Sequence, residues 1–417
     1  MTTENGDKAP GPCAGLRVLE FATMVAGPFA GQMLADLGAE VIKIEPISGD
    51  PMRKGHPQHE GVAAGFALFN GGKRSMCIDL KSPSGQALAR ELALTADVLI
   101  ENFRPGVMAQ FGLGHETLCQ ANAKLIYASI NGFGVDGPYA ARPAYDHVVQ
   151  ALSGTMPGIG SQDQPEPVRN SVVDKITAAT AAQAILAALV HRERNGGKGQ
   201  RVCVSLLDAY AAFMLPDLMV NHYFQTPGIG ARALPNTYFP IRTSDGHVMG
   251  HIFTDEQFRN LCQMFDRLDL IDDPRFAGVK ERRDHCEAMW DEIRQSARRL
   301  DTAAIELLAE KHSVPLGRVN DLDGFFADPQ VRHNGTYSDD DDPLLGRVRQ
   351  LRSPIRLALT PAASRGRPPL LGEDTGALLA GLGKTASQID QAFASHVVSG
   401  RMDEADGAGK SAVGAQA

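Results

Sequence analysis

Short apolar runs alternate with amphipathic stretches along the first half of the chain. Residues 16–21 and 39–45 are predicted strands, and residues 28–37 between them form a predicted helix with Pro28 in its first turn and Gly38 after its end. Such a unit predicts an α/β fold with a doubly wound parallel sheet and right-handed crossovers. Parallel sheets of this kind bind ligands beyond the carboxyl ends of their strands, so residues 23–28 are expected at a binding edge.

The same alternation continues as far as residue 221. Further strands are predicted at residues 73–80, 97–101, 125–130 and 200–206, and further helices at residues 82–94, 176–194 and 207–221. The helix at 176–194 carries Ile176, Ala179, Ala182, Ile185, Leu186 and Leu189 on one predicted face. Residues 46–72 carry Gly and Pro turn signals and are expected to be irregular.

The pattern changes after a Gly- and Pro-containing loop at residues 225–231, which we interpret as a domain boundary. A β pair turned at residues 244–246 precedes helices predicted at 255–266, 282–297 and 302–311, which indicates a smaller α+β domain. Strands within residues 343–357, turned at Gly346, and a helix at 372–382 follow. The last residues, 403–417, are rich in Gly, Ala and Ser and are expected to fray.

Composition is that of an ordinary folded protein. The 417 residues are 43% hydrophobic and 22% charged, which gives room for two domains and a sizeable core. A net charge of -8 argues against a nucleic-acid partner, because nucleic acid requires a basic face. The six cysteines form no C-x-x-C pair and have no histidine at zinc-ligand spacing, so reduced thiols and no metal are expected. A polar N-terminus and the absence of eighteen consecutive apolar residues predict a cytoplasmic protein without a membrane partner.

Residues 132–137, Gly-Phe-Gly-Val-Asp-Gly, match the dinucleotide-binding fingerprint and follow a predicted strand. In a dinucleotide site the third glycine opens a helix whose N-terminus holds the pyrophosphate. Here Gly137 is followed by Pro138, and Pro143 comes soon after, so no such helix can begin at once. We therefore interpret this stretch as a tight turn and not as a nicotinamide site.

Asp174 stands at the start of the predicted Ala-rich helix. One interpretation is an N-cap, because Asp is among the preferred capping residues and is stabilised there by the helix dipole. The other is a nucleophile, because the same position presents a carboxylate at the sheet-edge crevice. The helix N-terminus is expected to lower its pKa and keep it ionised, and exclusion of water would make it a better nucleophile. The two interpretations are compatible.

Four cations, Lys73, Arg74, Lys81 and Arg104, lie at strand or loop ends of the N-terminal half. Each alone is typical of a solvated surface charge. As a set beside crevice loops in an acidic protein, they suit a ligand that bears phosphate.

Ordered blocks along the chain resemble the class III coenzyme A transferases, the CaiB/BaiF family. The blocks lie at residues 19–21, 26–28, 37–45, 70–75, 97–106, 132–134, 197–200 and 369–373. The resemblance runs from about residue 16 to residue 383. It implies a Rossmann-like doubly wound parallel sheet with a smaller α+β domain, in an interlocked homodimer. The domains would be a flexible tail at 1–14, a large CoA-binding domain at 15–225 plus 327–400, a small domain at 226–326 and a disordered tail at 401–417.

The resemblance also implies an enzyme that moves CoA from an acyl-CoA thioester to a small carboxylic acid, with no tightly bound cofactor. The family's catalytic aspartate falls on Asp174, which would form a mixed anhydride with the acyl group and then a thioester with CoA. Positions that contact CoA or acyl-CoA, with Arg104 added from the cation set, would be Met24, Val25, Ala26, Ile78, Lys81, Asn102, Phe103, Arg104 and Tyr145.

Two departures from the family pattern limit this resemblance. Gln110 and Pro143 stand where some members carry cations, so the phosphate contacts would differ in detail. No run of glycines follows Gln225 like the mobile flap of the oxalate-specific members, which argues against formyl or oxalyl transfer.

Two other functions stay open at this point. α-Methylacyl-CoA racemases resemble the chain almost as broadly, but they carry His before Asp where this chain has Tyr145 and Asp146. Because tyrosine has a pKa near ~10, Tyr145 is a poor proton shuttle at neutral pH, and transfer is favoured over racemisation. A non-catalytic acyl-CoA-binding protein is the third possibility. The sequence does not name the acids.

Overall fold

The structure is a computed structural model that describes residues 10–227, 240–362 and 366–402. The chain divides into two compact units. The larger comprises the residues up to Val220 and those from Thr336 onward, and the smaller is Asn221–Gly335. The boundaries expected from the sequence, at residues 226 and 326, both fall inside the smaller unit. The predicted loop at 225–231 and the predicted tail at 403–417 lie partly or wholly outside the described residues.

One sheet of seven strands forms the centre of the larger unit. In chain order the strands are β1 Arg17–Phe21, β2 Glu40–Glu45, β3 Arg74–Ile78, β4 Val98–Glu101, β5 Ile126–Asn131, β6 Arg201–Ser205 and β7 Val398–Ser399. Their order across the sheet is β7-β3-β2-β1-β4-β5-β6. Strands β1 to β6 pair in parallel, and only β7 is antiparallel to its neighbour. The predicted α/β class and large parallel sheet are confirmed.

Helices cover both faces of this sheet. Four of them are α1 Ala26–Asp36, α2 Asp146–Leu152, α3 Val172–Arg194 and α4 Leu206–Leu218. The other helices of the larger unit are Ala64–Asn70, Pro83–Leu94, Val107–Gln110, His115–Ala121, Met156–Ile159, Thr375–Gly381 and Ala386–Ala394, with 3-10 turns at Pro51–Lys54 and Met219–Asn221. Because strand side chains alternate between faces, Val18 packs under α1 and α3 while Leu19 packs under Pro83–Leu94.

The long helix α3 is the central helix of one face, where it packs against α1 and α4. It is 23 residues long and, by length and composition alone, apolar enough to cross a membrane. Ala178, Ala181 and Ile185 are nevertheless fully buried in the core of the larger unit, and such a core helix meets the same criterion. The predicted apolar face is partly wrong, because Ala179 is exposed.

The smaller unit combines a three-stranded antiparallel sheet with helices around the buried Trp290. Its strands are Ile241–Arg242, His247–Gly250 and Leu316–Arg318. Its helices are Asp255–Met264, Val279–Asp284, Cys286–Ala297, Thr302–His312, Leu322–Ala327 and Pro329–Asn334, with 3-10 turns at Leu268–Leu270 and Pro274–Phe276. Thr254 and Gln257 form a capping box at the first helix.

Several elements differ from the prediction. The stretch expected to be irregular contains the helix Ala64–Asn70 and two short strands, Gln58–His59 and Val62–Ala63. A hairpin pairs Tyr337–Asp342 with Gly346–Leu351, so its first strand precedes the predicted region. Four consecutive aspartates are poor strand formers, which concealed this strand in the sequence.

Candidate active site

A cavity of about 310 Å³ lies at the carboxyl ends of β1, β4, β5 and β6. Its wall is formed by the loops that follow these strands, the start of α4, and one residue of α3. Strand β1 has β2 on one side and β4 on the other, so the chain order reverses direction at this point of the sheet. Ligands of parallel sheets bind at such a switch point. The lining residues are Thr23, Met24, Val25, Ala26, Asn102, Phe103, Arg104, Pro105, Ile130, Asn131, Gly132, Ala140, Arg142, Pro143, Ala144, Tyr145, Asp174 and Leu206.

Asp174 reaches this cavity from the first turn of α3 and not from its cap. The helix begins at Val172, and the N-cap position is Ser171, whose side chain makes no capping hydrogen bond. The prediction that Asp174 is the N-cap is therefore wrong. The helix was predicted to begin at residue 176, but it begins four residues earlier. Val173 in this added turn is buried in the core, and its packing holds the turn in place.

The carboxylate of Asp174 is in an unusual electrostatic setting. Burial, and to a smaller extent the negative charge of Asp146, raise its pKa to about 6, while His147 and Lys175 oppose the shift. The expectation that the helix N-terminus lowers this pKa is wrong, because desolvation and Asp146 outweigh the helix dipole. Among the described residues, no group donates a hydrogen bond to this carboxylate. At pH 7 this carboxyl is therefore mostly ionised.

Asp146 and Gln150 hold Asp174 in place. The backbone N–H of Asp174 donates to Oδ2 of Asp146 at 3.1 Å, and Nε2 of Gln150 donates to Oδ1 of Asp146 at 2.6 Å. Oε1 of Gln150 accepts from the backbone N–H of Val168 at 2.9 Å, which fixes the segment before α3. Sequence reasoning missed Gln150. Its spacing four residues after Asp146, on one face of α2, is the signal that could have identified it.

Two loops of the wall are tied together by Asn102. The backbone N–H of Thr23 donates to Oδ1 of Asn102 at 3.0 Å, and Nδ2 of Asn102 donates to the Thr23 carbonyl at 2.8 Å. The next residue, Met24, has a φ of 67° and donates its N–H to Oδ1 of Asp50 at 3.3 Å. A non-glycine residue adopts this left-handed conformation only when its surroundings enforce it. The loop after β1 is thus held rigidly at the cavity.

The two predicted cations at the start of β3 are used within the fold. Lys73 is buried, and its Nζ lies 2.7 Å from Oε2 of Glu20, which also pairs with Lys43 at 3.0 Å. Arg74 pairs with Glu40 at 2.8 Å and with Asp374 at 3.1 Å. Their predicted role in holding phosphate is therefore wrong.

The other predicted contact positions lie in two adjoining cavities. Met24, Val25, Ala26, Asn102, Phe103, Arg104 and Tyr145 line the cavity of Asp174. Ile78 and Lys81 line a neighbouring cavity of about 360 Å³, which shares Thr23 and Phe103 with the first. Lys81 and Arg104 are exposed and make no ion pair with a described residue. The side chain of Ile78 is fully buried in the core, and that of Tyr145 is 67% exposed.

The start of α1 supplies further polar groups. This helix begins at Ala26 on the cavity wall, and no side chain caps it. Its first backbone N–H groups have no intrahelical acceptors and are available to a negatively charged oxygen. The site therefore combines a buried carboxylate with backbone N–H groups that can bind a negatively charged oxygen. Among the described residues no group of three or more His, Cys, Asp or Glu is arranged to hold a metal ion.

Comparison with known proteins agrees with this geometry. The sequence model of CoA-transferase family III matches residues 13–375. The chain is 39% identical over 383 residues to a succinate--glutarate CoA-transferase of Agrobacterium fabrum, covering 89% of this chain and 96% of the relative. It is 31% identical over 381 residues to the succinyl-CoA:glutarate CoA-transferase of Homo sapiens, covering 87% of this chain and 84% of the relative.

A solved structure also matches this chain. The crystal structure of a CaiB/BaiF family protein from Brucella suis matches with a TM-score of 0.78 and 34% sequence identity, over 89% of this chain and 100% of that one. The chain therefore belongs to CoA-transferase family III, and the protein is an enzyme of this transferase class.

Proposed function

We propose that the protein transfers CoA from an acyl-CoA thioester to a carboxylic acid, with Asp174 as the nucleophile. The observation that carries this proposal is the carboxylate of Asp174, which lies in the switch-point cavity without a hydrogen bond and with a pKa raised to about 6. A poorly solvated carboxylate is more nucleophilic than one surrounded by water, and it is still ionised at neutral pH.

The chemistry needs no proton transfer. An oxygen of Asp174 attacks the thioester carbonyl, the C–S bond breaks, and CoA leaves as a thiolate from a mixed anhydride. The thiolate attacks the Asp174 carbonyl and releases the donor acid as a carboxylate, which leaves an aspartyl-CoA thioester. The acceptor carboxylate then attacks the aspartyl carbonyl of this thioester, which breaks the C–S bond and releases the CoA thiolate. The thiolate attacks the new anhydride at the acceptor carbonyl and displaces the Asp174 carboxylate. A new acyl-CoA forms and Asp174 is regenerated.

The surrounding residues have distinct proposed roles. Met24, Val25, Ala26, Ile78, Asn102, Phe103 and Tyr145 would form the walls that contact CoA and its acyl group. Lys81 and Arg104, which are exposed and unpaired among the described residues, would bind the phosphates. The uncapped start of α1 would stabilise the successive oxyanions.

Dicarboxylic acids are the substrates we favour. The relatives named above act on succinate or succinyl-CoA and glutarate by their names. Arg142 also lines the cavity, and its guanidinium carbon lies 3.7 Å from the centre of the Tyr139 ring. Because no described carboxylate pairs with Arg142, its guanidinium is available to the distal carboxylate of such an acid.

We also propose that the large sheet is Rossmann-like and that two chains form an interlocked homodimer. Strands β1 to β6 have the spatial order β3-β2-β1-β4-β5-β6, which is the order of Rossmann-type sheets. A homodimer is supported by exposed apolar side chains on the larger unit, and the interlocking of its two chains is what the family resemblance implies. Val148, Leu152, Ile159 and Phe213 are 48%, 47%, 43% and 68% exposed, and such surfaces are typical of interfaces.

Mass spectrometry of Asp174 variants tests the function. Asp174→Asn is expected to lower exchange of CoA between succinyl-CoA and glutarate at least about 1,000-fold. The wild type incubated with succinyl-CoA alone should gain the mass of CoA less one water, through the aspartyl thioester, and the variant should not. Full exchange by the variant would refute the proposal. Solvent deuterium at the α-carbon without an acceptor acid would identify a racemase instead.

Two controls separate chemistry from folding. Asp208→Asn changes another aspartate in the first turn of a helix, but one that lies outside the cavity, so it should exchange CoA like the wild type. At pH 8 the melting temperature of Asp174→Asn should be no lower than that of the wild type. At pH values above the raised pKa of Asp174, its ionised carboxylate destabilises the folded state by up to about 3 kcal/mol.

A further inference from the structure

A third cavity of about 390 Å³ lies behind the loop that follows β4. It shares Phe103, Arg104, Pro105 and Asn131 with the Asp174 cavity, so this loop separates the two. Apart from the shared residues Phe103 and Arg104, the proposed transfer reaction makes no use of its lining. Its polar lining comes from neighbouring strands, since Glu101 on β4 lies beside Ser129 on β5, and Tyr127 on β5 lies beside Arg201 on β6.

One buried hydroxyl in this cavity makes no hydrogen bond of good geometry, and the buried carboxyl beside it makes only one. The hydroxyl of Ser129, a residue only 4% exposed, has no hydrogen-bond partner of good geometry. The carboxyl of Glu101, 8% exposed, accepts a well-formed hydrogen bond from the backbone N–H of Phe103 at 3.0 Å, and the Ser129 hydroxyl lies close enough to lower its pKa. Buried polar atoms are normally satisfied, and a bound ligand is one way to satisfy them.

The charges around these two groups favour an anion. Arg201 is exposed and pairs with no described carboxylate, yet it lies close enough to lower the pKa of Glu101. Burial has the larger effect and raises that pKa to about 7, against the opposing effects of Ser129, the Phe103 N–H and Arg201. Below pH 7 the carboxyl is therefore mostly protonated, and it can donate a hydrogen bond to an anion. The other titratable or charged groups near Glu101 or lining the cavity are Arg104, His115, Glu116, Tyr127, Asp136 and Cys203.

We propose that this cavity is a second acid-binding site, in which a small carboxylate lies between the guanidinium of Arg201 and the side chains of Glu101 and Ser129. Arginine binds carboxylates through paired N–H donors, and the hydroxyl and the protonated carboxyl add two more donors. The choice of a carboxylate rests on the proposed function, in which free acids are substrates and products. The bound acid would contact the reverse side of the loop that lines the catalytic cavity.

Calorimetric titration of the CoA-free full-length enzyme with succinate tests this site. Arg201→Gln is expected to weaken binding at this site at least about tenfold, because the paired charge is lost. Arg194→Gln is the matched control, since Arg194 is exposed and lines none of the three cavities. Equal binding by Arg201→Gln and the wild type would overturn the proposal.

The pH dependence tests the part played by Glu101. Succinate should bind this site about fivefold more tightly at pH 6.5 than at pH 8, because the ionised Glu101 repels an anion and the protonated form donates to it. Glu101→Gln should retain binding and lose this dependence. A crystal soaked with succinate should show the acid beside Arg201, and a cavity filled by a second copy of the chain would refute the site. Since no CoA is present, failure here is distinct from failure of CoA transfer.

Discussion

At the scale of single residues, the proposed nucleophile Asp174 depends on a second carboxylate, that of Asp146. Asp146 accepts the backbone N–H of Asp174 and so positions it, while its charge helps to raise the pKa of the Asp174 carboxyl. A carboxylate with a raised pKa binds protons and electrophiles more strongly than a solvated one. The same neighbour therefore contributes both to geometry and to reactivity.

Activity should follow the ionisation of Asp174. Since burial and Asp146 raise its pKa to about 6, the reactive carboxylate is present above pH 6 and is lost as the pH falls through that value. We expect kcat/KM for succinyl-CoA to rise with pH around a midpoint near 6, measured by the rate of CoA exchange. Asp146→Asn keeps an oxygen that can accept the Asp174 N–H but removes the charge, so its midpoint should move to lower pH.

A melting temperature for Asp146→Asn measured beside these profiles shows whether the fold is kept. A midpoint that stays in place or moves to higher pH in a folded variant would show that Asp146 does not act through its charge.

The sequence placed Asp174 at the sheet-edge crevice, where the structure has it, but did not give its electrostatic state. The family resemblance, and not the local pattern, singled out this aspartate as the candidate nucleophile. Its pKa depends on burial and on Asp146, which is distant in sequence and is brought into contact only by the packing of α2 against α3. A prediction based on the helix dipole alone consequently had the wrong sign.

At the scale of elements, the site consists mainly of loops, and the strands of the sheet position these loops. The loop after β1 is held to the loop after β4 through both groups of the Asn102 amide. Asn102 makes these hydrogen bonds to Thr23, and the residue after Thr23 is Met24, which has the left-handed conformation. The geometry of this wall therefore depends on one side chain from another loop.

Asn102→Ala should loosen that wall. We expect a loss of about 1–2 kcal/mol in the free energy of unfolding, because two backbone groups lose their partners. KM for the CoA thioester should rise severalfold with a smaller change in kcat, as measured by steady-state exchange.

Asn122→Ala provides the matched comparison. Asn122 also accepts a backbone N–H, from Lys124 at 3.1 Å, and donates to the Ala96 carbonyl at 2.9 Å, but it lies outside all three cavities. It should lose stability without a change in KM. If both variants changed KM equally, the effect would be one of stability and not of loop position.

The elements differed in how well the sequence predicted them. The apolar runs of β1 to β6 were recognisable because buried parallel strands are nearly continuous in apolar residues. The strand Tyr337–Asp342 was not, because its aspartates are unfavourable until Arg349 on the paired strand neutralises Asp339 at 2.6 Å. A local sequence pattern cannot show that a charge on one strand is neutralised by a residue on the paired strand.

At the scale of the whole molecule, the larger unit is made from both ends of the chain, with the smaller unit inserted between them. The proposed interlocked dimer makes a kinetic prediction that an ordinary dimer does not. If two chains thread through each other, they cannot separate unless at least one of them unfolds. Exchange of subunits is then limited by the unfolding rate, which for stable domains is very slow.

Two differently tagged forms of the protein test this arrangement. Mixed under native conditions for a day, they should form no doubly tagged dimers, whereas joint denaturation and refolding should produce them. Light scattering should give twice the chain mass even at nanomolar concentration, because dilution cannot separate threaded chains. Phe213→Asp changes an exposed apolar side chain and should reduce the yield of refolded dimer, since it introduces an unpaired charge into the proposed interface. Rapid native exchange, or a monomer at low concentration, would exclude interlocking and leave a conventional dimer or a single chain as the active form.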